Sequence, residues 1–109
     1  MRQSAKDQRL SELESDFKPL LVRCLQIGAR GKWGLFGQHD TPEERRYDNW
    51  PEVGQLKTMA AEIQELRAEF GQPNAIVERY IYYCSLQGPN DSGEPKLARA
   101  FLEELGLPI

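Results

Sequence analysis

A chain of 109 residues with 39% hydrophobic and 28% charged side chains has the size and composition of one folded domain with its own core, which excludes a disordered tract. A net charge of −3 and a pI near 5.2 lack the basic excess that wholesale nucleic-acid binding needs. Two cysteines make no disulfide framework, and no apolar run reaches the length of a membrane span.

Residues 1–9 are polar, carry no signal-peptide core and are expected to fray. Leu10, Leu13, Phe17, Leu20, Cys24 and Ile27 then recur at alternating three- and four-residue steps, the stripe of an amphipathic helix. Pro19 interrupts the pattern by removing a backbone donor. Because the stripe keeps its phase across the proline, one kinked helix over 4–27 is expected rather than two. Gly28 is expected to end it as a C′ glycine.

Glycines at 28, 31, 34 and 37 follow at every third residue, interleaved with Arg30, Lys32, Trp33, Leu35 and Phe36 and followed by His39, the chain's one histidine. Glycine permits positive φ and close backbone approach, so the 28–40 stretch is expected to fold back on itself. Between Phe17 and His39 the charged residues are all basic: Lys18, Arg23, Arg30 and Lys32.

Thr41, Pro42 and Glu44 have the spacing of a capping box and open a short helix carrying Arg45, Arg46 and Tyr47, which ends at Asp48-Asn49. Pro51 begins the next helix. Val53, Leu56, Ala60, Ile63, Leu66 and Phe70 keep helical period up to Gly71, so all six are expected in the core, with Lys57, Glu62, Glu65 and Glu69 outward.

Asn74 is the expected cap of a helix over 75–86, which is apolar nearly all round and therefore expected to be buried. On that helix Tyr82 shares a face with Glu78 and Ser85, away from Tyr80 and Cys84, and an outward Tyr82 suits recognition. Residues 87–93 have the turn chemistry of a loop. Pro95 opens the last helix, whose buried stripe is Leu97, Phe101, Leu102 and Leu105, and Gly106 and Pro108 stop it.

The fold class is therefore all-α. The expected form is a compact single-domain bundle of four main helices plus one short helix, with a Gly-rich connection after the first.

The chemistry-bearing residues are few. The 28–40 stretch matches neither a P-loop nor a dinucleotide fingerprint. Its expected role is a hydrophobic plug of Trp33, Leu35 and Phe36, and Arg30 and Lys32 can add an anion cradle to it. Cys24 or Cys84 with His39 and Asp40 supplies the residue types of a Cys-His-Asp arrangement, but both cysteines sit on apolar stripes, where thiols are inert packing. One histidine and two distant cysteines fit no zinc spacing, so no metal or cofactor is expected. Glu103-Glu104 is read as a helix-end pair explained by the macrodipole and solvation.

The expectation is a non-catalytic, cytoplasmic and bacterial protein-binding module, adaptor- or inhibitor-like, using Arg30, Lys32, Trp33, His39, Arg45, Arg46 and Tyr82. The alternative is a binder of a small anion or nucleotide at the 28–40 stretch, with an enzyme third. A protein partner, no membrane and no nucleic acid are expected, and a homo-oligomer is compatible with the sequence.

Overall fold

The computed structural model describes residues 5–31, 35–36, 51–86 and 94–108. They form four α-helices: α1 (Ala5–Ala29), α2 (Pro51–Phe70), α3 (Ala75–Leu86) and α4 (Glu94–Glu104). There is no strand among the described residues. The short helix expected after Thr41 lies outside them, as does the 28–40 connection apart from its first residues and Leu35 and Phe36.

Helix α1 is the axis of the fold and packs against both α2 and α4. Its buried residues are Leu10, Leu13, Phe17, Leu21, Cys24, Leu25, Gly28 and Ala29. Pro19 lies inside the helix on an exposed position and does not split it. The buried stripe departs from the expected one in the second half, where Leu21 and Leu25 replace Leu20 and Ile27. Leu20 is only half-buried and Ile27 is 37% exposed. A strict alternation of three and four averages 3.5 residues, and a straight helix of 3.6 drifts from it by about 20° per heptad.

The end of α1 also differs. Gly28 is buried inside the helix, not beyond it. A Cβ there would stand 3.2 Å from Leu35 Cδ2 and 3.5 Å from Ala98 Cβ, so this glycine serves close approach. The turn is made by Gly31, with φ of +113°, whose N–H donates to the Gly28 carbonyl at 3.0 Å.

Helix α2 packs on α1 and is joined to it by the exposed pairs Lys6–Glu69 at 2.9 Å and Arg9–Glu62 at 2.6 Å. Val53, Leu56, Ala60 and Ile63 are buried. Leu66 is only half-buried and Phe70 is 43% exposed, against the expectation of a continuous core face. The helix ends at Gly71, φ +115°, whose N–H donates to the Arg67 carbonyl at 2.8 Å, the αL form of C-cap.

Asn74 caps α3 as expected, its Oδ1 accepting from the Val77 N–H at 3.0 Å. Helix α3 is not buried all round. Val77, Tyr80 and Tyr83 are buried, Ile76, Ile81 and Cys84 are half-buried, and Tyr82 and Leu86 are exposed. In α4, Ala98, Phe101 and Leu102 are buried, while Leu97 and Leu105 are half-buried. Gly106, φ +74°, closes α4: its N–H donates to Glu103 and the Leu107 N–H to Leu102. Those two bonds are the Schellman pattern.

The core between α1, α3 and α4 is aromatic. Leu35 and Phe36 are fully buried there. Phe36 lies 6.2 Å from Tyr80 and 5.9 Å from Tyr83, ring centre to ring centre. Phe17 meets Tyr80 edge-on at 6.0 Å, and Tyr83 stacks on Phe101 at 4.5 Å. Such pairs add to the energy of burial itself.

Candidate functional site

Helix α3 divides its aromatic residues between two faces. Tyr80 and Tyr83, three apart, point into the core, and Tyr82, between them, is 46% exposed. This follows from the 100° advance per residue of an α-helix. The Arg79 guanidinium lies over the Tyr82 ring at 4.5 Å and over the Tyr83 ring at 5.3 Å, a cation–π placement. Tyr82 meets Tyr83 edge-on at 5.8 Å.

The guanidinium is held from the far side by Glu104 at the end of α4. Arg79 Nε donates to Glu104 Oε2 at 2.8 Å and Arg79 Nη2 donates to Glu104 Oε1. The Tyr83 hydroxyl also donates to Glu104 Oε1, at 3.2 Å. The hydrogen bond from Arg79 holds the Glu104 carboxyl below its ordinary value. Burial, then the facing Glu104 charge, push the Tyr83 phenol up. The position of Glu104 runs against the macrodipole, which disfavours an anion at a helix C-terminus. Arg79 and Tyr83 explain the residue instead.

Of the seven residues singled out in sequence, two are described. Arg30 is exposed just past α1, its N–H donating to the Ile27 carbonyl at 3.1 Å. Tyr82 is exposed on α3, as expected. They stand on different elements. Lys32, Trp33, His39, Arg45 and Arg46 lie outside the described residues. The expected burial of both cysteines holds for Cys24, while Cys84 is half-buried, and neither is in a disulfide.

Sequence reading missed three polar links. The Arg79–Glu104–Tyr83 cluster joins α3 to α4. Glu14 accepts from Arg67 at 2.8 and 2.7 Å and from Asn74 Nδ2 at 2.7 Å, tying α1 to both ends of the α2–α3 turn. Arg99 Nε donates to the Ala29 carbonyl at 3.1 Å, satisfying an orphan acceptor at the end of α1. An arginine three residues before an outward tyrosine was visible in the sequence. Its partner 25 residues away was not.

Two clefts lie along α2. One of about 190 Å³ lies in the α2–α3 corner beside Arg67, Asn74 and Val77. The other, about 420 Å³, lies between α1 and α2 along Lys6, Arg9, Glu62 and Glu69. In the first, Arg67 and Asn74 are both bonded to Glu14 and Gln64 donates to Glu78; in the second, Lys6 pairs with Glu69 and Arg9 with Glu62. Among the described residues, no group of three or more His, Cys, Asp or Glu side chains is placed to hold a metal ion. No described helix is long and apolar enough to cross a membrane. No protein-family model, no curated protein and no solved structure matches the chain.

Proposed function

We propose that this chain is a non-catalytic protein-binding module, adaptor- or inhibitor-like, working in a reducing bacterial cytoplasm. It meets its partner through the outer face of α3, with Arg30 and the 28–40 stretch contributing. The observation that supports this reading is the Arg79–Tyr82 pair. An exposed tyrosine whose ring is already held beneath a guanidinium at 4.5 Å loses little side-chain freedom on binding. Tyrosine and arginine are also the residue types that dominate interface energetics.

The experiment is affinity purification of the tagged chain from its host cells, with Tyr82→Ala and Arg30→Ala run beside it. The reading expects one protein retained in near-stoichiometric amount and weakened by both substitutions. Inorganic phosphate and ATP are tested in parallel by thermal shift. A melting temperature that climbs with either ligand, with no protein retained, would replace this reading with that of an anion binder at Arg30, Lys32 and His39.

A further inference from the structure

The described cations divide into two groups. Lys6, Arg9, Arg67 and Arg79 are each held by a glutamate of another helix. Arg23 on α1, Arg30 just past its end and Lys96 on α4 are exposed, and among the described residues their side chains make no ion pair or hydrogen bond. Arg99 on α4 donates from Nε to the Ala29 carbonyl, and no carboxylate among the described residues pairs with it.

The second group lies together. Arg23, Ile27 and Arg30 recur at steps of four and three, on one side of α1. Ile27, between the two arginines, is 37% exposed. The bond to Ala29 sets the Arg99 guanidinium beside Arg30, and Lys96 stands one turn before Arg99 on α4. No acidic residue occurs from Phe17 to Gly31. The helix dipole accounts for cations in the last turn of α1, where Arg30 and Arg99 stand, but it falls off within that turn and leaves Arg23 unexplained. Like charges left together without counter-charges repel one another, in a chain whose net charge is −3 and which neutralises its other helix-joining cations.

We propose that this surface, with Arg23, Ile27 and Arg30 at its centre, docks an acidic segment of the partner protein. The inference rests on the protein-binding reading above and gives the partner its chemistry. Arg23 and Arg30 are two helical turns, about 10.5 Å, apart along α1, too far for one phosphate or small carboxylate to bridge. A segment with carboxylates at that spacing and an apolar residue between them complements both arginines and Ile27. A nucleic acid duplex fits less well: its charge repeats about every 1.7 Å and runs on past the patch over an acidic molecule. A bilayer finds one exposed aliphatic side chain here, Ile27. Charge complementarity of this kind chiefly steers association and makes it sensitive to salt.

The test is fluorescence anisotropy with a labelled glutamate–leucine peptide, against the same peptide with glutamine for glutamate. A DNA duplex and phosphatidylserine vesicles are run beside them. The glutamate peptide should bind more tightly than the other three probes, and less tightly as salt rises. Arg23→Glu should weaken it roughly threefold to tenfold, as the loss and reversal of exposed charge pairs allow. Lys18→Glu makes the same change in net charge on the same helix. Lys18 is also exposed but is turned about 140° from Arg23, so this variant should bind as the parent does. Far-UV circular dichroism should be unchanged in both, since neither side chain is bonded within the described residues. Equal weakening by the two variants, equal binding of the glutamine peptide, or tighter binding of DNA or vesicles would overturn the inference. A protein retained by the tagged chain as strongly after Arg23→Glu as before would overturn it and leave the binding reading standing. No retained protein at all would overturn both.

Discussion

The Tyr80 hydroxyl donates to the Leu35 carbonyl at 3.2 Å, a bond made inside the core between residues 45 apart in sequence. It ties α3 to the fully buried pair Leu35 and Phe36. The same helix turns Tyr82 to solvent. One face of α3 thus builds the core while the other is available for recognition.

Removing that hydroxyl while keeping the ring should weaken the fold. Tyr80→Phe leaves the Leu35 carbonyl without this donor, and a buried polar group so abandoned costs about 1–3 kcal/mol. Urea denaturation should show a lower midpoint at unchanged slope.

Ile63 and Phe70 lie on the same sequence stripe of α2 but should respond differently. Ile63 is fully buried, whereas Phe70 is 43% exposed. Ile63→Ala should cost about 2–5 kcal/mol. Phe70→Ala should cost about 1 kcal/mol or less, because much of its surface is already in water. Equal losses in chemical denaturation would contradict this assignment of faces.

Two glycines offer a sharper contrast. Gly54 sits in α2, and a methyl group added there would meet nothing within 4 Å, so Gly54→Ala should stabilise by about 0.5–1 kcal/mol through helix propensity. Gly28→Ala would gain the same propensity but set a methyl 3.2 Å from Leu35 Cδ2. Leu35 is fully buried and cannot yield without disturbing its neighbours, so overpacking of about 1–3 kcal/mol should outweigh the gain. Thermal melts of the two variants should move in opposite directions.

The Arg79–Glu104 pair predicts a pH dependence. Glu104 is held below its ordinary value by Arg79. Its contribution is therefore fully present above the carboxyl's unfolded value and disappears as pH falls through the lower folded one. Wild type should be slightly more stable than Glu104→Gln at pH 7. The difference should be small, since both side chains are partly exposed. Denaturation at a series of pH values should show the two curves converging in acid.

Much of the fold could be read in the sequence, because helix signals are local. Asn74, Gly71 and Gly106 cap where their chemistry places them. That Tyr82 shares a face with Glu78 and Ser85, away from Tyr80, followed from spacing, and that face is the exposed one. What escaped depends on neighbours. The stripe of α1 slid from Leu20 to Leu21 because a 3.5-residue pattern drifts on a straight helix. Gly28 looked like a stop signal but serves contact with Leu35 and Ala98. Phe70 has the right period, yet it closes the last turn of α2 before Gly71 and is 43% exposed there. Glu104 matters through Arg79, a pairing that exists only once α3 and α4 are packed.

The central claim is that Tyr82 serves binding and not the fold. The direct measurement is Tyr82→Ala, read on one preparation for unfolding free energy and for the protein retained by the tagged chain. The account predicts a stability within about 1 kcal/mol of the parent, as for an exposed side chain, together with loss of the retained protein. A loss of several kcal/mol, or a retained protein that does not change, would contradict it.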